Sequence, residues 1–172
     1  PYGVSKLAQE NLAYQYFKNF GIQSVTIRIF NTTGPGKIGD VYSDFTKRII
    51  EMEKGINSEK IMKVGNIDSK RTITDVRDLI KAFDIALDKA TIGEVYNISG
   101  EKVYKISEII DILKSLVNFE FELKVDQKLL RTTDEPIIYG NSSKFKQETS
   151  WKSEIPVEKT LKDMLDYWRK VL

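Results

Sequence analysis

The first thirty residues contain a helical pattern, a glycine and a short β-branched segment in direct succession. Apolar and aromatic residues recur with helical spacing between residues 2 and about 19, and Gly21 suits the left-handed conformation that ends many helices. The segment 24–30, Ser-Val-Thr-Ile-Arg-Ile-Phe, is short and β-branched, which predicts a strand. A helix that leads through a glycine turn into a buried strand indicates an α/β fold with a parallel sheet.

The rest of the chain continues this alternation. Apolar periodicity predicts further helices over 42–54, about 75–89, 107–117, 142–148 and 157–172. Short apolar segments predict strands over 61–64, 93–98 and 119–125. Thr74 or Asp75 is predicted to cap the third helix, and Ser107 the fourth.

Two of these helices have predicted core faces. The face of the third helix consists of Val76, Leu79, Ile80, Phe83, Ala86 and Leu87. The face of the last helix consists of Leu161, Met164, Leu165 and Trp168. We interpret both stripes as core packing, because such spacing places apolar side chains on one side of a helix.

Composition excludes several kinds of site. The 172 residues contain neither cysteine nor histidine, which removes thiol nucleophiles, histidine triads and metal sites built from these ligands. Acid–base chemistry would therefore depend on Tyr, Lys, Asp or Glu. The net charge of +2, from 27 basic and 25 acidic residues, gives no strong attraction to nucleic acid or an anionic membrane. No apolar segment approaches the length of about 18 residues that spans a bilayer. The lysine-rich, isoleucine-rich and cysteine-free composition fits a cytoplasmic protein.

Tyr2 and Lys6 are the first candidates for such chemistry. They stand four residues apart at the start of the first helix, which places them one turn apart on one face. A neighbouring ammonium favours the phenolate over the phenol, and a phenol so placed can exchange protons. Taken alone, the spacing is common enough to occur by chance.

Other candidates also have two interpretations. The loop 31–36, Asn-Thr-Thr-Gly-Pro-Gly, follows a strand at the edge where open α/β sheets bind ligands, but it could equally be a plain turn. Lys47 and Arg48 lie on the second helix, either on a solvated face or as a phosphate clamp.

Several motifs in order along the chain resemble one family. Tyr2-x-x-x-Lys6 is followed by Arg28-Ile-Phe-Asn31 and Thr33-Gly-Pro-Gly36, then by Val64-Gly-Asn, Arg71 and Thr74-Asp-Val-Arg-Asp78. Later come Gly93-Glu-Val-Tyr-Asn-Ile98, Leu130-Arg-Thr-Thr-Asp134, Thr149-Ser-Trp151 and Tyr167-Trp-Arg169. This order resembles the extended short-chain dehydrogenase/reductases, the NAD-dependent epimerase/dehydratase family that acts on nucleotide sugars.

One group within that family is most similar. The segment Phe30-Asn-Thr-Thr-Gly-Pro-Gly36 resembles the reductases of GDP-4-keto-6-deoxy-mannose, which typically have histidine where this chain has Thr32. Thr72 also departs from the acidic residue that usually follows the arginine.

The resemblance implies a fold and a division into domains. The fold is the C-terminal part of a Rossmann-type doubly wound parallel sheet together with a small α/β substrate-binding domain. Residues 1–36 and about 73–99 would complete the dinucleotide-binding domain, and about 37–72 and 100–172 would bind the nucleotide sugar. The chain begins at Pro1, directly before Tyr2, and contains no Gly-x-x-Gly-x-x-Gly after a strand. We therefore expect the glycine-rich half that holds the cofactor to be absent from this sequence.

The resemblance also implies site residues. Tyr2 would protonate the keto oxygen, and Lys6 would assist it and bind the nicotinamide ribose of NAD or NADP. Asn31 would contact cofactor or substrate, and the nucleotide sugar, expected to be GDP-linked, would be bound by Lys47, Val64, Arg71, Arg131 and Asp134. For Arg71 and Arg131 the alternative interpretation is a surface salt bridge. The resemblance also implies a homodimer through the helix that carries Tyr2. Leu12 and Tyr16 are consistent with it, and they would serve a core equally well.

Three functions remain open at this level. The first is a reductase of the 4-keto group of a GDP-4-keto-6-deoxy-hexose, inactive as these 172 residues alone. The second is a GDP-mannose 4,6-dehydratase or another dehydratase or epimerase of the family. The third is a non-catalytic fragment that binds nucleotide sugar.

Overall fold

A computed structural model describes residues 1–130 and 134–172 and shows a mixed α/β fold. Its helices are α1 (Tyr2–Phe20), α2 (Val41–Glu53), α3 (Val76–Lys89), α4 (Ile106–Ser115), α5 (Ser143–Thr149) and α6 (Val157–Val171). Its strands are β1 (Thr26–Ile29), β2 (Thr32–Thr33), β3 (Ile61–Val64), β4 (Lys70–Thr72), β5 (Thr74–Asp75), β6 (Val95–Ile98), β7 (Val103–Lys105), β8 (Glu122–Val125) and β9 (Ile137–Ile138). A 3₁₀ turn covers Gln127–Leu129.

Parallel pairing dominates the described strands. The pairs β1–β6, β2–β5 and β3–β8 are all parallel, and β4 lies between the parallel β9 and the antiparallel β7. Parallel neighbours need long crossover connections, which here contain helices. The predicted α/β fold with a parallel sheet is confirmed.

Two hydrophobic clusters stabilise these layers. The larger joins α2, α4 and α6 with β3, and it contains Ile49, Met62, Ile109 and Leu161. The smaller joins α3, β6 and α5, and Trp151, Tyr96 and Phe145 are its largest members. The predicted division into domains near residues 36, 73 and 99 stays a prediction.

Most predicted helix ends and one predicted core face are confirmed. Gly21 ends α1 with φ 68°, and Asp75 caps α3 by accepting a hydrogen bond from the backbone N–H of Arg77. All four predicted core residues of α6 are buried. Ser107 is not the cap of α4, because the helix begins one residue earlier and the Glu108 carboxylate accepts from the Lys105 N–H.

The predicted core face of α3 is wrong in part. Leu79 and Ala86 are buried, but Ile80, Phe83 and Leu87 are 58, 37 and 86% exposed. The helix carries apolar residues on more than one side, and only the side towards β6 and α5 is covered in the described residues. No helix in the described residues is both long enough and apolar enough to cross a membrane.

A buried carboxylate joins β5 to α6. The side chain of Asp75 is fully buried and accepts from Arg77 at 2.7 and 2.8 Å and from the Thr160 hydroxyl at 2.7 Å. Arg77 also donates to Asp163 at 2.8 Å. These bonds fix α6 relative to the strand that lies beside the loop beginning at Asn31, because β5 pairs with β2.

This cluster predicts acid sensitivity. Burial alone would raise the pKa of Asp75, but hydrogen bonds from Arg77 and Thr160 outweigh it and hold the pKa below the ordinary 3.8. The folded state therefore binds fewer protons, and its stabilisation is complete well above pH 3.8 and lost as the pH falls through the lowered value. We expect the free energy of unfolding in urea to fall between pH 6 and pH 3, with a smaller fall in Asp75→Asn. Asp84→Asn, on the exposed side of α3, is the control and should show the same fall as the wild type. If the free energy of unfolding of Asp75→Asn falls as much as that of the wild type, the assignment of the acid sensitivity to Asp75 is wrong.

Candidate functional site

A cleft of about 650 Å³ lies between the end of β1, the start of α2, and β3 and β4; we call it the α2 cleft. Among the residues that line it are five of the predicted ones, namely Asn31, Lys47, Val64, Arg71 and Asp134. These residues are up to a hundred positions apart in the chain. The fold therefore brings the predicted substrate contacts together. Arg131, a sixth, lies outside the described residues.

Arg71 and Asp134 form an ion pair inside the α2 cleft. Their side chains are 12 and 25% exposed, and Nη2 of Arg71 lies 3.1 Å from Oδ1 of Asp134. Arg71 also donates to the Lys70 carbonyl at 2.8 Å, and Asn66 donates to Asp134 at 3.3 Å. Arg71 thus forms a salt bridge, as the alternative interpretation from sequence proposed, and this salt bridge is partly buried within the cleft. A guanidinium has five N–H donors, so this fixed group keeps donors for a ligand.

Two cations of α2 border the same cleft. Lys47 lies 3.7 Å from Glu51, and its ammonium is 5.7 Å from the centre of the Trp168 ring. Arg48 donates to the Lys63 carbonyl at 2.9 Å and pairs with Asp44 at 2.9 Å. Both side chains are half-buried, which argues against the interpretation that they lie on a fully solvated face of the helix. Neighbouring helical residues point about 100° apart, so the sequence could not show that both would reach one cleft.

The wall opposite α2 is formed by β3 and the chain after β8. Val64 is only 1% exposed, and its carbonyl accepts from the Asp126 N–H at 2.9 Å. A Cβ on Gly65 would lie 2.7 Å from the Leu129 carbonyl oxygen, so glycine permits this close approach. The side chain of Val64 thus packs in the core, and a ligand would meet mainly the backbone of this wall.

Tyr2 and Lys6 line a second cleft of about 730 Å³ between α1 and β1, which we call the α1 cleft. The Lys6 ammonium lies 5.6 Å from the centre of the Tyr2 ring, and Lys6 donates to the Gln9 side chain at 3.2 Å. Tyr2 is 76% exposed, so its hydroxyl is open to a ligand. The predicted proximity of phenol and ammonium on one helix face is therefore present.

The α1 cleft also contains a charged pair that links helix and strand. Arg28 of β1 donates to both carboxylate oxygens of Glu10 at 2.8 and 2.6 Å. The hydrogen bond from Arg28 holds the pKa of Glu10 below its usual range. This pair fixes α1, and with it Tyr2 and Lys6, against β1.

The two clefts share no lining residue but adjoin at the end of β1. Ile29, the last residue of β1, borders the α1 cleft, and Asn31 borders the α2 cleft. The Asn31 carbonyl accepts from the Thr74 N–H at 3.0 Å, which anchors the loop to β5. Its side-chain nitrogen is buried without a partner among the described residues. An unpaired buried donor between the two clefts fits contact with a bound cofactor or substrate.

Comparison with known proteins shows which family the chain belongs to. The family model described as GDP-mannose 4,6 dehydratase matches residues 1–164. This chain belongs to that family. It is 32% identical over 169 residues to the GDP-6-deoxy-D-mannose reductase of Pseudomonas aeruginosa, covering 98% of this chain and 55% of that protein. It is 24% identical to GDP-mannose 4,6 dehydratase 1 of Arabidopsis thaliana, covering 96% of this chain and 46% of that protein.

Solved structures agree with this assignment. The structure of RMD from Pseudomonas aeruginosa complexed with NADPH matches with a TM-score of 0.94 at 31% identity, covering 100% of this chain and 57% of that one. The UDP-glucuronic acid 4-epimerase of Bacillus cereus, in complex with UDP-glucuronic acid and NAD, matches with a TM-score of 0.85 at 26% identity, covering 100% and 53%. The chain thus spans about half the length of these relatives and corresponds to the C-terminal part of their Rossmann-type fold. The predicted family, and the use of NAD or NADP within it, are confirmed.

The sequence alone did not single out several cleft residues. Asp40, Tyr42 and Trp168 all border the α2 cleft. Asp40 could have been recognised only as a helix cap, and Trp168 was interpreted as core, where it also belongs. A residue that belongs to the core and also borders a cleft fits the apolar periodicity of a core face, so the sequence does not distinguish its second role.

Proposed function

We propose that this chain is the substrate-binding part of an oxidoreductase that reduces the 4-keto group of a GDP-4-keto-6-deoxy-hexose with NAD(P)H. The observation that carries the proposal is the α2 cleft, in which Arg71, Lys47 and Asp134 meet beside Asn31. Similarity over nearly the whole chain to a GDP-6-deoxy-D-mannose reductase supports this reaction above others.

The charges of the α2 cleft suit a diphosphate. Arg48 and Arg71 are each held by a carboxylate and a backbone carbonyl, so their planar groups are oriented before a ligand arrives. Guanidinium groups bind phosphate oxygens through two parallel hydrogen bonds, and little side-chain freedom is lost when they are fixed in advance. We assign the diphosphate to Lys47, Arg48 and Arg71, and the nucleoside to the wall around Val64 and Asp134.

The reacting end of the sugar would lie at the end of β1, between the two clefts. Tyr2 donates its hydroxyl proton to the keto oxygen as negative charge develops there, and Lys6 stabilises the phenolate that results. Asn31 donates to the substrate or the cofactor from its unpaired amide. When bound, a reduced nicotinamide supplies the hydride; Tyr2, Lys6 and Asn31 are the residues of this chain that would touch it.

Calorimetric titration of the 172-residue chain with GDP, UDP and dTDP tests the proposal. We expect GDP to bind most tightly, and we expect no nicotinamide-dependent reduction by this chain alone. Failure of all three nucleotides to bind would overturn the proposal and leave an inert fragment. Reductase activity from these residues alone would contradict the expected need for a separate cofactor half.

A second candidate is a 4,6-dehydratase or epimerase of the same family. The description of the matching family model and the epimerase structure with a TM-score of 0.85 favour it. Product analysis distinguishes the reactions, because a dehydratase converts GDP-mannose itself whereas the reductase needs a keto sugar. A purely binding role would show nucleotide affinity with neither reaction, even when cofactor-binding residues are supplied.

We also propose that α1 contributes to a homodimer. In the described structure α1 buries none of its residues, and Leu7, Leu12 and Phe20 are 56, 57 and 71% exposed. Sedimentation should then give about twice the chain mass of 19.8 kDa, and a monomer mass would contradict this.

A further inference from the structure

Two buried polar atoms belong to residues that line the α2 cleft and have no hydrogen-bond partner among the described residues. One is Nδ2 of Asn31, a donor, and the other is Oδ2 of Asp40, an acceptor. The other two such atoms in the described chain are Thr74 Oγ1 and Asp78 Oδ1, whose residues do not line this cleft. Unpaired buried groups are costly in free energy, so a donor and an acceptor in one cleft indicate a ligand group that pairs with both.

The carboxylate of Asp40 is held in a fixed orientation. Its Oδ1 accepts from the Ser43 N–H at 2.7 Å and caps α2, which leaves Oδ2 free of the cap. Lys37 lies 3.5 Å from Oδ2 without hydrogen-bond geometry, and its ammonium donates instead to the Thr32 carbonyl. The Lys37 side chain is 42% exposed, so a ligand can displace it.

Tyr42 lies two positions after Asp40 at the start of α2, and both residues line the α2 cleft. Burial raises the pKa of the Tyr42 hydroxyl, the negative charge of Asp40 raises it further, and the positive charge of Arg71 opposes the rise. One hydroxyl is therefore within electrostatic reach of both Asp40 and Arg71. Asp40, Tyr42 and Arg71 all border the α2 cleft, and the Asp40 side chain is 19% exposed.

The chemistry of the two unpaired atoms selects the ligand group. A group that accepts from Asn31 and donates to Asp40 must do both, as a hydroxyl does. A diphosphate oxygen only accepts, and it would be repelled by Asp40. Asn31 lies at the end of β1 beside the α1 cleft, whereas the nucleoside wall at Val64 and Asp134 belongs to other strands and loops. This position favours a hydroxyl of the sugar over one of the ribose.

We propose that Asp40 is a specificity-determining residue, which accepts a hydrogen bond from a sugar hydroxyl while Asn31 donates to the same oxygen. The proposal rests on the proposed function, since it requires a nucleotide sugar in the α2 cleft. Asp40 would thereby distinguish a nucleotide that carries a sugar from the free nucleoside diphosphate.

The test compares each nucleotide with its sugar conjugate, using GDP with GDP-mannose and UDP with UDP-glucose. Asp40→Asn keeps the capping oxygen but replaces the free acceptor by a donor, and Asp40→Ser keeps a good cap without a second oxygen. We expect both variants to lower the affinity for the sugar conjugate roughly tenfold. The affinity for the free nucleotide should stay within about twofold of the wild-type value. Asp84→Asn removes the same charge from the exposed side of α3 and should change neither the affinity for the sugar conjugate nor that for the free nucleotide.

The outcomes separate the two proposals. Equal losses for conjugate and free nucleotide, or no loss for either, would overturn the role of Asp40 and leave the proposed function standing. A wild-type chain that binds none of the four ligands would overturn both. Thermal unfolding of each variant shows whether the cap of α2 is intact. Asp40→Ser and Asp40→Asn must also show the same loss of affinity for the sugar conjugate.

Discussion

Arg71→Met lowers the affinity of the chain for GDP by at least about 30-fold, because it removes a buried, oriented guanidinium from the proposed diphosphate site. The arginine side chain is only 12% exposed, so no neighbouring solvated cation replaces it easily. The substitution also leaves Asp134 without its ion-pair partner, and the carboxylate then repels the diphosphate. Titration calorimetry at fixed ionic strength measures the change.

A matched control and a double variant separate these two effects. Arg169→Met removes another partly buried arginine, which pairs with Glu53 and Asp166 outside the α2 cleft, and should leave GDP affinity unchanged. Combining Arg71→Met with Asp134→Asn removes the repulsion as well as the charge of a proposed nucleoside contact, so any affinity that is recovered measures the minimum contribution of the repulsion. Affinity for GDP that is unchanged in Arg71→Met would remove the basis for a diphosphate in this cleft.

Tyr2→Phe lowers kcat for keto-sugar reduction by a factor of roughly 10²–10⁴, the usual contribution of a positioned proton donor. KM for the nucleotide sugar should change little, since Tyr2 borders the α1 cleft while the proposed nucleotide contacts border the α2 cleft. The 172 residues contain no Gly-x-x-Gly-x-x-Gly motif, so the assay is run on the chain joined to a dinucleotide-binding segment that carries one.

Tyr14→Phe is the control for this substitution. Tyr14 lies on the same helix, is 49% exposed and is not among the residues that line the α1 cleft. It should retain full activity. Full activity in Tyr2→Phe would mean that another group supplies the proton.

Local patterns predicted the longer elements of the fold. The helix of residues 2–20, its glycine end and the inner face of α6 follow from periodicity and capping, which depend on neighbouring residues only. The strands β4, β5, β7 and β9 are two or three residues long and exist through pairing with distant segments. Nothing within such short stretches separates them from loop.

The candidate site could not be predicted from local sequence patterns alone. Arg71 and Asp134 are 63 positions apart, and their meeting in one cleft was implied by the family resemblance alone. Asp40 carries the sequence pattern of a helix cap, and this pattern does not show that its second oxygen lacks a hydrogen-bond partner. Ile80, Phe83 and Leu87 were misplaced because an apolar side chain does not reveal which of two helix faces will be covered.

Nuclear magnetic resonance mapping of GDP binding to the isotope-labelled chain tests the central claim most directly. If the α2 cleft binds the nucleoside diphosphate, the largest shifts will be those of the backbone amides of Asn31, Gly65 and Asn66 and of the Trp168 indole, which border it. The amides of α1 around Leu12 and the buried Trp151 indole, which lie outside this cleft, should remain unchanged. Shifts confined to α1, or no shifts at saturating GDP, would contradict the account.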